Sequence, residues 1–296
     1  MSCWVCDSPS RSIWKQRNLL STLSPQDLAI TDKRYGVTLE LWQCGDCGFI
    51  YADGNEIGEL VELYEQIEDE GYQDTQQTRR MQMRWIVEQA IKTNPEAKTL
   101  LDIGAGIGLL VDESRNHGLE AVGVEPSRRL AEYGIQQLGA HLLQGAVPHP
   151  SLSGRSFDLV TMIDVLEHVG RPLDLLSVAR EYLSPKGLMV VVTPDIRSAA
   201  ARLMGRSWWH LRAAHVGYFS EKTFSMAAKK TGLVVIGKRR ALWIFPIWYI
   251  TERLGQYLPV NRLNKWALRQ PVLGRIYQHE IHLDLRDSWL LFLRAA

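Results

Sequence analysis

A chain of 296 residues, 46% hydrophobic and 23% charged, is long enough for about two domains and a sizeable buried core. This composition excludes a disordered or collagen-like chain, and no apolar run approaches the ~18 residues of a membrane span. The opening MSCWVCDSPSRSIWK lacks the apolar core of a signal peptide, so a cytoplasmic protein is expected. The net charge of +1 conceals an asymmetry, because residues 197–296 carry 17 Lys or Arg against five Asp or Glu. Six of the ten Trp lie in the same stretch: Trp208, Trp209, Trp243, Trp248, Trp266 and Trp289. Such an end suits an anionic partner (a phosphorylated small molecule, a lipid headgroup or RNA), or it packs against the acidic remainder.

Four segments follow in chain order. Residues 1–55 hold all four cysteines, as Cys3-x2-Cys6 and Cys44-x2-Cys47 with 37 residues between the pairs. Two such knuckles complete a tetrahedral Zn²⁺ shell, and four thiolates leave no open position, so a structural zinc ribbon is expected. Residues 56–97 have helical periodicity, first at Leu60, Leu63, Tyr64 and Ile67, then at Met81, Trp85, Ile86 and Ala90. Residues 98–196 alternate short apolar runs (TLLDIG, EAVGVE, FDLVTMI, GLMVVVT) with amphipathic stretches, the pattern of βαβ units and a parallel sheet. Residues 197–296 predict a loop, a helix over Glu221–Thr231, a strand near Leu233–Gly237 and a last strand at Ser288–Leu293, with a long aromatic stretch between those strands.

The run Asp102-Ile103-Gly104-Ala105-Gly106-Ile107-Gly108 leads from an apolar strand through a glycine turn into a helix. Glycines there let the backbone approach a ligand and let the helix pack closely. Glu125 closes the next strand, where a carboxylate can accept both hydroxyls of a ribose. The spacing is GxGxG preceded by Asp102, which argues against the GxGxxG of a dinucleotide site.

These segments (LLDIGAGIG, GVEPS, FDLVTMIDVLEHV and LSPKGLMVVVTPD) resemble the class I S-adenosylmethionine-dependent methyltransferases in order and spacing. The resemblance implies an α/β, Rossmann-like seven-stranded sheet, here with an N-terminal zinc ribbon and a helical cap. It implies S-adenosylmethionine as cofactor, with Asp102, Gly104, Ala105, Gly106 and Gly108 against its methionine part. Glu125 and Pro126 would lie at the ribose, Gly145 and Ala146 beside the adenine, and Asp164 and Val165 at the methionine end. The ribbon and its following Gly-Phe-Ile-Tyr look like those of certain sugar C-methyltransferases. Trp208-Trp209 and His215-Val216-Gly217-Tyr218-Phe219-Ser220 resemble a segment of bacterial methyltransferases found with polysaccharide and secondary-metabolite genes. The C-methyltransferases carry a further C-terminal domain that this chain has too few residues to build. Transfer to a hydroxyl of a saccharide, nucleotide-sugar, lipid-linked glycan or secondary metabolite is therefore expected.

Asp164, Glu167 and His168 stand at helical spacing after a strand, which would place them on one face of a turn at the cofactor crevice. They resemble the Glu-x-x-Glu-His that binds a divalent cation in ubiquinone-pathway and small-RNA methyltransferases. The shorter Asp164 favours a contact with the cofactor over a cation here. A hydroxyl nucleophile benefits from a base, for which His215 and His168 are the candidates, with Tyr218 as a hydrogen-bonding neighbour. Within 242–269, Ile247, Ile250, Leu254 and Leu258 form an apolar stripe near Arg253, Arg262, Lys265 and Arg269. This segment would pack in the core, join a partner chain, cover an apolar substrate or lie peripherally at the inner face of the membrane. Two other functions remain at this point. An RNA methyltransferase is disfavoured because residues 1–55 carry five basic against six acidic residues. A non-catalytic binding protein is disfavoured by the intact glycine loop and Glu125.

Overall fold

A computed structural model describes residues 2–20, 23–29, 34–54, 57, 60–66, 75–255, 270 and 275–296. In chain order the elements are β1 (Arg11–Lys15), β2 (Leu41–Cys44), β3 (Ile50–Ala52), α1 (Leu60–Glu65), α2 (Gln76–Thr93), β4 (Thr99–Ile103), α3 (Leu109–Asn116), β5 (Glu120–Glu125), α4 (Arg128–Leu138) and β6 (Leu142–Gln144). There follow β7 (Phe157–Ile163), α5 (Pro172–Glu181), β8 (Leu183–Pro194), α6 (Ala199–Met204), β9 (Gly217–Tyr218), α7 (Glu221–Lys230), β10 (Leu233–Arg240), β11 (Trp243–Pro246), α8 (Ile247–Leu254), β12 (Glu280–Leu283) and β13 (Ser288–Ala295).

The short apolar runs form a seven-stranded sheet of order β10-β13-β8-β7-β4-β5-β6. Strands β8 to β6 are parallel, while at one edge β13 runs antiparallel to β8 and β10 antiparallel to β13. Side chains alternate faces along a strand, and here both faces are covered. Met189 and Val191 pack on one side with Leu176 and Ala179 of α5 and Phe224 and Ala227 of α7. Val190 and Val192 pack on the other with Ile86 and Ala90 of α2 and Leu110 of α3. This double burial is why the strands read as continuous apolar runs. Between them the helices are capped locally: Ser127 accepts from Leu130 N at the start of α4, and Gly139 ends it with φ 63°. The chain leaves β4 for β5 and β6, then returns to β7 on the other side of β4. That reversal opens a crevice beyond the carboxyl ends of β4 and β7.

The N-terminal strands form a second sheet, β1-β2-β3-β9, whose last strand comes from residues 217–218. Ile50 pairs with Tyr218 and Tyr51 with Gly217, and Ala52 N donates to Val216 O at 2.8 Å. An aromatic cluster seals the joint, with Trp4 and Tyr51 centroids 5.1 Å apart and Phe49 and Phe219 4.9 Å apart. Further along, β11 and β12 pair as an antiparallel two-stranded sheet.

The two helical stretches expected within 56–97 are α1 and α2; Ile67 lies outside the described residues, as do Leu258, Arg262, Lys265, Trp266 and Arg269. The aromatic stretch begins as β11 and continues as α8. No helix among the described residues is long and apolar enough to cross a membrane. Phe49 is fully buried between the ribbon and the main sheet. Phe49→Ala should therefore lower stability by about 3–5 kcal/mol, read from the urea unfolding midpoint.

Candidate active site

A cleft of about 1640 Å³ opens at the switch point of the sheet. Asp102, Gly104, Ala105, Gly106, Glu125, Pro126, Gly145, Ala146, Asp164, Val165, His168 and His215 all line it, so most of the residues singled out in the sequence meet in one place. Two do not. Gly108 is absent from the lining; its φ of +83° and the 2.6 Å that a Cβ would leave to Ala140 Cβ give it a packing role instead. Tyr218 is buried in β9 outside the lining, with its ring centroid 6.2 Å from that of His215.

At one end of the cleft, the glycine turn is held from above and below. Glu125 accepts from Gly106 N through Oε2 and from Ser127 N through Oε1, both at 2.7 Å. Gly104 has φ +75°, and a Cβ there would stand 2.6 Å from Val165 Cγ2, so only glycine fits beneath that side chain. Asp102 accepts from Thr161 Oγ1 at 2.6 Å. Burial pushes the carboxyls of Asp102 and Glu125 up to about 7, against the hydrogen bonds that favour their ionised forms.

At the far side, Asp164, Glu167 and His168 do not share a helical face. Asp164 sits in left-handed backbone at φ 54° just beyond β7, and Leu166–His168 form a single 3-10 turn. Glu167 and His168 instead meet His215, with ligating atoms of all three within 4.8 Å of one another. Thr193 Oγ1 donates to Glu167 Oε2 at 3.0 Å, and the hydroxyl of Tyr64 bonds Nδ1 of His168. The rings of His168 and His215 meet edge-on, 4.6 Å between centroids. Glu167 Oε1, His215 Nδ1 and Asp164 Oδ1 are buried without hydrogen-bond partners, a costly state that an occupant of the cleft would relieve. Burial raises the Glu167 carboxyl well above its usual range and the neighbouring Asp164 adds to the rise. It pushes Asp164 to about 6 and drives His168 down to about 3, with His215 also well below its ordinary value. Such imidazoles stay neutral at pH 7, the form that ligates a metal.

One part of the site is invisible in the sequence. Asp287, fully buried, accepts from Trp209 Nε1 at 2.7 Å and Trp243 Nε1 at 3.1 Å, and lies 3.2 Å from His210 Nε2. Burial pushes its carboxyl up, yet these partners hold it below the usual range. The His210 ring stacks near that of His215, 5.8 Å away. Asp287 thus fixes three residues of the cleft wall, but it stands 77 positions from His210, so no local signal announces it.

The four cysteines also converge. Cys3 and Cys47 sulfurs are 3.6 Å apart and those of Cys6 and Cys44 3.4 Å apart, all four thiols being free. Zn–S arms of ~2.3 Å in a tetrahedron require S···S edges of ~3.8 Å, so the donor set suits such an ion. Backbone N–H groups of Val5, Cys47 and Phe49 point at the sulfurs of Cys3, Cys44 and Cys47 at 3.4–3.5 Å, as thiolate ligands need.

Residues 75–238 match the family model described as a methyltransferase domain, and the chain belongs to this family of S-adenosylmethionine-dependent methyltransferases. Among curated proteins it is 33% identical over 130 residues to a ubiquinone biosynthesis O-methyltransferase of Cereibacter sphaeroides, covering 40% of this chain and 53% of that one. It is also 33% identical over 114 residues to a mitochondrial ubiquinone biosynthesis O-methyltransferase of Schizosaccharomyces pombe, covering 36% and 41%. The match spans about half the length of these relatives or less. A magnesium protoporphyrin IX methyltransferase structure from Synechocystis, with bound S-adenosylhomocysteine, superposes with a TM-score of 0.49 at 10% identity, covering 77% of this chain and 89% of the other.

A carboxyl held at about 7 in the folded chain binds its proton more tightly there than when unfolded, where Asp titrates near 3.8. Its contribution to stability is complete below about pH 4 and is lost as the pH rises to 7. Thermal melts of the ligand-free protein should fall across that window, and Asp102→Asn should flatten the fall.

Proposed function

We propose that this protein is an O-methyltransferase that carries the methyl group of S-adenosylmethionine to a hydroxyl on a small acceptor with a large apolar part, and that its four cysteines hold a structural zinc ion. The observation that carries this reading is the meeting of Glu167, His168 and His215 within 4.8 Å in the same cleft as the glycine turn and Glu125. The relatives' names, which specify O-methylation in ubiquinone biosynthesis, support oxygen as the nucleophile. Trp243, Phe245, Ile250, Leu254 and Leu283 on the cleft wall support an apolar acceptor. A sugar hydroxyl, expected from the sequence, draws no support from the named relatives; a lipid-linked acceptor would use the same wall.

The cleft fits the cofactor. Glu125, oriented by Gly106 N and Ser127 N, would receive the ribose hydroxyls, Gly145 and Ala146 would flank the adenine, and the unpartnered Oδ1 of Asp164 would receive the methionine ammonium. S-adenosylmethionine supplies a methyl made electrophilic by its sulfonium charge. The protein's part is alignment, which converts binding into rate. Glu167, His168 and His215 also fit a divalent cation, given two orphaned ligand atoms and neutral imidazoles; it would lower the pKa of the acceptor hydroxyl. Tyr64 sets the His168 ring and Thr193 the Glu167 carboxylate, so the acceptor oxygen meets a fixed cluster. Where no cation holds it, His215 Nδ1, a neutral and unpartnered ring nitrogen, would take the proton of that hydroxyl.

Incubation of methyl-labelled cofactor and protein with an extract of the source cells should place label in the organic-soluble small molecules. Label released by ribonuclease would overturn the reading. Against that acceptor, Glu167→Gln and His215→Ala should each lower kcat about 10²- to 10⁴-fold with S-adenosylhomocysteine affinity unchanged by calorimetry.

Metal analysis of the purified protein should find one zinc per chain, retained through brief chelation. The same treatment should slow methyl transfer until magnesium or manganese is returned. Cys44→Ser should lose the zinc and melt at lower temperature.

A further inference from the structure

Part of the cleft wall comes from outside the methyltransferase sheet. Ser2, Trp4 and Gly54, all within the first 55 residues, line the same cavity as Glu167, His168 and His215. Trp4 stands between Cys3 and Cys6. That knuckle is closed by Cys3 N donating to Ser8 O at 2.9 Å and Asp7 N donating to Cys3 O at 3.0 Å. Cys3 and Val5, on either side of Trp4, are fully buried, whereas Trp4 itself is only partly buried. A closed turn therefore presents one large apolar ring to the cleft.

The ring is set from behind and from its edge. Tyr51 and Phe49 back it, with centroids 5.1 and 6.2 Å away. It packs on the same core cluster as Val165 and Val169, which flank the turn bearing Glu167 and His168. On β9, a Cβ at Gly217 would stand 3.7 Å from Trp4 Cζ3, so the indole edge lies against the strand. His215 is two residues earlier, at most ~7 Å along the chain. An acceptor whose hydroxyl reaches His215 therefore has the Trp4 ring beside it. The joint between ribbon and sheet does not use the whole indole, because Phe49 and Phe219, 4.9 Å apart and fully buried, close it. The surface left over is apolar and gains by being covered.

We infer that Trp4 is a specificity-determining residue: its indole covers the apolar body of the acceptor beside the reacting hydroxyl, which makes the first cysteine knuckle part of the acceptor pocket. The inference rests on the O-methyltransferase reading and deepens it by adding the ribbon to the acceptor's contacts. The glycine turn and Glu125, which would hold the cofactor, belong to β4, β5 and the turn between β4 and α3, so cofactor affinity does not depend on Trp4.

The full-length protein is prepared with 5-fluorotryptophan, saturated with S-adenosylhomocysteine and titrated with octanol, an apolar hydroxyl compound, below its solubility limit. Trp4→Phe assigns the Trp4 fluorine resonance. Octanol should shift the resonances of Trp4, Trp209 and Trp243, which line the cleft. That of Trp42, on the ribbon under Arg11 and outside the lining, should stay in place. A Trp4 resonance that stays put while Trp209 and Trp243 move overturns the inference alone; if all three stay put, the apolar-acceptor reading falls with it. In methyl transfer to the organic-soluble fraction of the extract, Trp4→Ala should raise the amount giving half-maximal rate about tenfold. Its kcat should stay within about twofold and its S-adenosylhomocysteine affinity should be unchanged by calorimetry. Trp4→Phe, which keeps a ring on the same backing, should recover most of the lost affinity. A purely structural ring would lower the melting temperature and leave half-saturation where it was, and that result also overturns the inference.

Discussion

Two hydrogen-bonded contacts tie the cysteine ribbon to the reaction centre, and the rest of the site depends on them. Strand β9 is the outer strand of the ribbon sheet, and the residue just before it, Val216, donates to Glu167 O at 2.7 Å while its own carbonyl receives Ala52 N. His215 therefore stands two residues before a strand fixed by the ribbon, and next to Val216, which is tied to the turn that carries Glu167 and His168. Backbone pairing of this kind limits displacement far more than a side-chain contact does, which is what a three-residue cluster on two separate segments requires.

The second organising influence is exclusion of water. Burial in the same cleft pushes carboxyls up and imidazoles down, and it leaves Asp164 Oδ1, Glu167 Oε1 and His215 Nδ1 without hydrogen-bond partners. Burial without pairing is tolerated only where a ligand completes the set, and it strengthens every electrostatic contact made once the ligand arrives. Asp287 differs because its three partners are built in; it shapes the wall and has no need of an occupant.

The sheet was legible because its strands are buried on both faces, so runs such as FDLVTMI and GLMVVVT announce themselves without reference to the rest of the chain. The glycine turn and Glu125 were legible because they are local: strand, turn, helix and next strand lie within residues 99–125. What escaped is what depends on distant pairing. Strand β9 is two residues long and is defined by its partner β3. The Asp287 cluster joins residues 209, 210, 243 and 287. The helical-face reading of Asp164, Glu167 and His168 failed for a conformational reason: left-handed backbone at Asp164 breaks the helical geometry that the spacing assumes, and turns Glu167 towards His215 instead.

The ribbon sheet has a temporal consequence. Cysteines 3, 6, 44 and 47 leave the ribosome well before residues 217–218, the strand that completes their sheet. Three strands of a ribbon with an open edge are a poor shelter for thiols and an invitation to pair wrongly. An ion captured by the cysteines would hold the first three strands in register during that interval. The free edge of β3 would then serve as the template on which the segment bearing His215 is laid down.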